Sequence, residues 1–191
     1  YYQGIDVGNS STPQLIDVDR DGKIDLLIGE VTGNLNYYRN TGTSTVPAFT
    51  LVTSTFGNVN VNQPSYNTGF SAPCMYDSSG TYILLVRAER GGPNRYDAID
   101  GNLAGTFVRT DSMYVSTYEG GNVTAGVCDL DNDGLLDIAI GNLSGGVSLF
   151  YGYSNISIDA MNIPEIISFN LFPNPGNDQL TLMMNGKVEE N

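Results

Sequence analysis

"DVDRDGKIDLLIGEVTGNLNYYRN" (17–40) and "DLDNDGLLDIAIGNLSGGVSLFYG" (129–152) decide how this chain is read. Laid over one another, Gly22, Gly29 and Gly33 fall on Gly134, Gly141 and Gly145, and Tyr37 and Tyr38 on Leu149 and Phe150. A weaker middle copy, "MYDSSGTYILLVRAERGGPNRYDA" (75–98), matches Gly80 to Gly22, Gly91 to Gly33 and Tyr96 to Tyr38. The copies begin at 17, 75 and 129, intervals of 58 and 54 residues. Such a period is close to that of propeller blades and well above those of short helical repeats.

Within a copy the pattern is that of strands. "PQLIDV" (13–18) alternates, an acidic loop follows, and "DLLIG" (25–29) is an apolar run. "NLNYYRN" (34–40) and "AFTLVT" (48–53) supply a third and a fourth strand. Four short strands joined by turns, repeated, make up a propeller blade. Glycines inside the apolar runs count against helices, because glycine costs helix stability. The plainer alternative is a β-sandwich with chance similarity, which the register of glycines, loops and aromatics disfavours. The expected fold is therefore all-β: about three four-stranded blades, an open arc of a larger ring.

Composition agrees. The 191 residues include 23 glycines and 12 tyrosines but no tryptophan, and only 15% are charged, which suits a glycine-punctuated β protein. A net charge of −13 argues against nucleic acid as a partner, since phosphates would go unneutralised. No apolar run is long enough to span a membrane as a helix. With no histidine, triads and histidine metal sites are excluded. Cys74 and Cys128 form no CxxC pair, so neither zinc nor a redox motif is indicated. Both align with Ile16 by these offsets, so they are expected at equivalent apolar positions of neighbouring blades, as free thiols. The opening "YYQGIDVG" has neither a basic nor an apolar leader pattern, so the chain is expected to be an internal or processed piece of something longer, with "YYQGI" the outer strand of a preceding blade.

Why would aspartates that repel one another be gathered twice? Counting from Asp17, aspartates stand at positions 1, 3, 5 and 9 (Asp17, Asp19, Asp21, Asp25) with Gly22 at position 6. Asp129, Asp131, Asp133 and Asp137 repeat the arrangement around Gly134. Alternate residues of a curled loop aim their oxygens at one centre, and glycine permits the sharp turn. Hard oxygen ligands alone favour calcium over transition metals. Position 7 (Lys23, Leu135) can carry any side chain if its backbone carbonyl is the ligand. A helix-loop-helix hand needs glutamate at position 12, where Ile28 and Ile140 stand, and the same detail excludes a dockerin-type repeat. A single copy would read as an acidic turn; two copies point to two calcium sites. In the middle copy the positions are Met75, Asp77, Ser79 and Ile83, and no ion is expected there.

The unit "DxDxDGxxDLLIGxxxGxLxYY" resembles the FG-GAP and VCBS-type repeats of integrin-like β-propellers over roughly residues 1–153. The resemblance implies blades at about 1–56, 57–111 and 112–153. It also implies calcium held between adjacent strands by Asp17, Asp19, Asp21, Asp25 and the Lys23 carbonyl, and by Asp129, Asp131, Asp133, Asp137 and the Leu135 carbonyl. Such rings have more blades than three, so further blades upstream are implied. Residues 154–169 have the composition of a linker. "LFPNPGNDQLTL" (171–182) resembles the start of a type IX secretion C-terminal sorting domain, a small β-sandwich, placed here at 170–191. That resemblance implies export across the outer membrane of Bacteroidota-type bacteria.

The expected function is a calcium-binding propeller segment of a secreted or cell-surface protein, non-catalytic, serving adhesion or display toward a glycan or surface protein. The rival is the propeller region of a secreted polysaccharide-degrading or other hydrolytic enzyme. For it, "RAERGGPNRYD" (87–97) gathers Arg87, Glu89, Arg90, Arg95 and Asp97 near Asp100, where an acidic sugar could bind; the plain reading is a solvated turn.

Overall fold

The strands form where alternation and apolar runs place them. In the computed structural model, which describes residues 2–63, 65, 67–89, 92–112, 121–153, 167–168 and 181–182, the first copy folds as β1 (Thr12–Ile16), β2 (Asp25–Gly29), β3 (Leu35–Asn40) and β4 (Phe49–Thr53). They hydrogen-bond in chain order as one antiparallel sheet. The second sheet, again in chain order, is β5 (Ala72–Ser78), β6 (Thr81–Arg87), β7 (Asn94–Asp97) and β8 (Val108–Asp111). The third holds β9 (Thr124–Cys128), β10 (Asp137–Gly141) and β11 (Val147–Phe150). Among the described residues it has three strands, where four were expected.

The chain divides into a unit of residues 1–153, which carries these sheets, and a unit of 154–191. In the latter the described residues are an antiparallel pair, β12 (Ile167–Ser168) and β13 (Thr181–Leu182). The rest of the proposed linker and sorting domain lies outside the described residues.

Tyr2–Gly4 is a 3₁₀ turn, not the outer strand expected of "YYQGI". The glutamine side chain explains this. Gln3 donates to the Pro47 carbonyl and accepts from the Phe49 amide, while the Tyr2 ring meets Phe49 edge-on. The segment is thereby fastened beside the fourth strand of its own sheet.

Register tests the repeat. Leu26 faces Tyr38, Leu84 faces Tyr96 and Ile138 faces Phe150, so the second hairpin of each sheet matches at the expected offsets. The first hairpin does not. Ile16 pairs with Asp25 and Cys128 with Asp137, but in the middle sheet Tyr76 pairs with Ile83. There the long loop is replaced by extended strands and a two-residue turn, Ser79–Gly80, both at positive φ as a type I′ turn requires. Two residues are lost, so Cys74 corresponds to Gln14, not to Ile16. The equivalence expected of the two cysteines is corrected accordingly.

Successive sheets bury one face against the next, with side chains alternating between faces. Leu27, Leu35 and Tyr37 share a core with Met75, Leu84 and Val86 of the second sheet. Ile83 and Leu85, on the opposite face of that sheet, join Ile138 and Ile140 of the third. The fully buried Phe56 wedges between Tyr37 and Phe107, meeting Phe107 at 90° with centroids 4.9 Å apart. Gly57 lies beside it at φ +63°, where a Cβ would collide with the Phe107 ring.

Candidate metal centres

The two acidic loops join β1 to β2 (17–24) and β9 to β10 (129–136). Aspartate readily accepts bonds from backbone amides a few residues ahead, and here that habit builds the loop. Asp17 accepts from the amides of Asp21 (3.1 Å) and Gly22 (2.8 Å), and Asp129 from those of Asp133 (3.1 Å) and Gly134 (2.9 Å). Asp19 and Asp131 each accept one more bond, at 3.3 Å, from Asp21 and Asp133. Oδ1 of Asp21 and of Asp133 accepts the amides of Lys23 and Leu135. Two left-handed residues curl each loop: Arg20 (φ 60°) and Gly22 (φ 84°), Asn132 (φ 61°) and Gly134 (φ 88°). The glycines were legible in the sequence; the left-handed fourth position was not.

Position 9 closes the loop from below. The fully buried Asp25 accepts bonds from the amides of Val18 (3.1 Å) and Asn40 (2.7 Å) and from the Tyr37 hydroxyl (3.0 Å). Asp137 takes the matching amides, Leu130 and Gly152, with Leu149 standing where Tyr37 would be. This aspartate therefore ties the start of the loop to the end of the third strand.

Asp17, Asp19 and Asp21 each offer a carboxylate oxygen within 4.8 Å of the others, and so do Asp129, Asp131 and Asp137. Asp25 stands outside the first trio and Asp133 outside the second. Calcium binds oxygen at about 2.3–2.6 Å, so two ligands on one ion lie no more than about 5 Å apart, and both trios meet that condition. All-carboxylate donors suit a hard divalent cation.

The surroundings of the two loops differ. Arg39 reaches Asp19 (2.6 Å) and Asp21 (3.1 Å), and Lys23 reaches Asp21 (3.0 Å). Lys23 first, and Arg39 with it, hold the Asp21 carboxyl below the usual carboxylate range. Burial and then the charge of Asp25 push Asp19 up, against the pull of Arg39. At the matching places the third sheet has Leu135 and Tyr151.

Arg20 spans two sheets. It pairs with Asp77 (2.7 Å) and Asp100 (3.0 Å), donates to the Gly80 carbonyl and lies 3.8 Å over the Tyr82 ring. Tyr82 in turn donates its hydroxyl to the backbone carbonyl of Asp17. The sole carboxylate of the middle loop, Asp77, thus serves Arg20 and the Gly80 amide. Sequence reasoning missed this clasp, because its halves lie 57 residues apart.

The charged residues of 87–100 do not converge. Arg87 donates to Asn122, Glu89 accepts from Thr68, Arg95 pairs with Asp97, and Asp100 holds Arg20. Arg90 lies outside the described residues. Both cysteines are free. Cys74 packs partly buried between the second and third sheets, and burial pushes its thiol up to about 11; Cys128 is exposed, not the buried apolar residue expected.

Compared with known proteins, the chain matches no family model, and no curated protein or solved structure is significantly similar to it.

Proposed function

We propose that this chain is a calcium-stabilised segment of a β-propeller, borne by a secreted or cell-surface protein and serving adhesion or ligand display. One observation carries the reading: two loops 112 residues apart make the same hydrogen bonds and each gather three carboxylates around one point. In this proposal the ligands come from Asp17, Asp19, Asp21 and Asp25 and from Asp129, Asp131, Asp133 and Asp137, with the carbonyls of Lys23 and Leu135. Calcium supplies the counter-charge that lets the carboxylates crowd together. The chain's own part is to pre-curl the loop through backbone amides and to anchor it at position 9. Stacked antiparallel sheets of three or four strands, with β1, β5 and β9 side by side, support the propeller architecture. Secretion rests on the sequence resemblance of the tail, and the ligand is a glycan or a surface protein. An enzymatic role draws no support from the charged residues of 87–100, whose described members are engaged locally.

Calorimetric titration of the chain with calcium tests the reading. Two sites are expected, with dissociation constants near the ~10⁻⁴–10⁻³ M of extracellular modules. Asp133→Ala should remove one of them. A folded chain that binds no calcium would return both loops to being acidic turns.

A further inference from the structure

A cavity of about 420 Å³ opens between the first and second sheets, lined by residues between 19 and 105. Its walls come from β3 and β4, the Phe56–Asn58 turn, and residues 103–105 of the β7–β8 connection. Depth and mouth differ in chemistry. Tyr37 is buried and Leu103 partly so, both packed in the core that the two sheets share, and they give an apolar floor. Thr55 and Asn58 are exposed and bring a hydroxyl and an amide to the mouth. One wall is the pair Asp19 and Arg39, 2.6 Å apart, so the cavity abuts the first acidic loop. At the places matching Arg39 the second sheet has Asp97 and the third Tyr151, so of the three sheets only the first carries a cation there. A recess of this size, with an apolar floor and a few polar groups, has the ordinary form of a small-ligand site. A sugar ring matches it, since an apolar C–H face is edged by hydroxyls, and a guanidinium in the wall suits a carboxylate.

We propose that this cavity binds an acidic sugar, a uronate residue of a glycan, and that Arg39 receives its carboxylate once calcium fills the first loop. The inference deepens the ligand-display reading and rests on it. Without an ion, Arg39 is held by Asp19 and Asp21, whose negative charge also repels a second anion. Calcium takes over both carboxylates and offsets their charge, which leaves the guanidinium at the cavity wall free to turn to the sugar. Ion and ligand then favour one another, because uronate holds Arg39 away from the loop and so removes a competitor of the ion. Linkage makes the effect reciprocal. The third loop, with Tyr151 in that place, has no such arm, so the first site alone should respond to the sugar.

Backbone-amide NMR of the whole chain, titrated with glucuronate at fixed free calcium and again with a chelator, reads both sites at once. The amides of Asn58 and Gly105 report the cavity, those of Asp21 and Gly22 the first loop, and those of Asp133 and Gly134 the third. In calcium, glucuronate is expected to shift the cavity amides saturably, with a dissociation constant below about 10 mM. Chelation should weaken it about fivefold, and glucuronate should tighten calcium at the first loop by the same factor while leaving the third unchanged. Arg39→Gln should weaken glucuronate about tenfold while calcium still binds the first loop, and its own spectrum shows that it folds. Glucose, and N-acetylaspartate amide as the acidic-peptide counterpart, should each bind at least about tenfold more weakly than glucuronate. Calcium that moves the loop amides while glucuronate leaves the cavity amides still overturns this inference and spares the calcium reading. Loop amides that ignore calcium overturn both. Glucuronate that binds equally well with the chelator present overturns the coupling through Arg39. Glucose or the aspartate derivative binding as tightly as glucuronate overturns the assignment to an acidic sugar.

Discussion

The loops at 17–25 and 129–137 share a backbone and differ in company. Amide for amide, they make the same hydrogen bonds, with left-handed residues at the same two positions. Around the first stand Arg20, Lys23 and Arg39, whereas the third sheet carries Asn132, Leu135 and Tyr151 at those places. Aspartates and a glycine at fixed spacing therefore set the curl of the loop, while residues at positions 4 and 7 and on the third strand set its charge balance. Shape and electrostatics are encoded separately here, so each can be changed without the other.

The largest expected effect lies at position 9. Asp25→Ala would strand two amides and the Tyr37 hydroxyl in a fully buried place, each at about 1–3 kcal/mol, so a loss of about 3 kcal/mol or more is expected. Asp137→Ala strands the two matching amides, and with Leu149 in the tyrosine's place it should cost about 1 kcal/mol less. Urea unfolding in the presence of a chelator isolates the hydrogen bonds from any ion. Equal losses at the two positions would show that the Tyr37 bond contributes nothing.

Next in size is the clasp, which the first loop has and the third, among the described residues, lacks. Arg20→Ala should lower the melting temperature by a few degrees, and Asn132→Gly, at the matching left-handed position, should leave it unmoved. The pH dependence follows from Asp77. Arg20 holds its carboxyl below the ordinary value of about 3.9, so the native state gains from this pair above that pH. The gain disappears as pH falls through the lower folded value. Arg20→Ala should therefore flatten the acid limb of the stability curve, and an unchanged limb would mean that Asp77 stays at its ordinary value in the native protein.

The same split explains what the sequence could reveal. Strands β1 to β4 stand close to where alternation put them, because apolar period and turn residues are local signals. The clusters were legible because each lies within nine residues. The middle hairpin misled the alignment: a common offset assumes loops of equal length, and the Ser79–Gly80 turn shortens this one by two residues. Arg20 and Arg39 were invisible as partners of Asp77 and Asp19, since a long flexible cation gives no periodic signal of where its head will rest. Tyr2–Gly4 was misjudged because one side chain, Gln3, decides its place.

The smallest expected effect sharpens the comparison most. If the two loops share a shape and differ in charge, giving the first the company of the third should make them bind alike. Arg39→Tyr with Lys23→Leu removes the two cations that occupy the Asp19 and Asp21 carboxylates. An entering ion would then no longer displace them or meet their charge. The three ion pairs are partly exposed and screened by salt, so the gain is modest: about a two- to fivefold tighter first site, shrinking at high ionic strength. Calorimetry on an Asp133→Ala background, which leaves the first loop alone to titrate, gives the number. The reciprocal Tyr151→Arg, on an Asp21→Ala background, should weaken the third loop by a similar factor. Unchanged affinity in both would mean that the cations swing aside at no cost, and that the carboxylate trio alone sets the strength of each site.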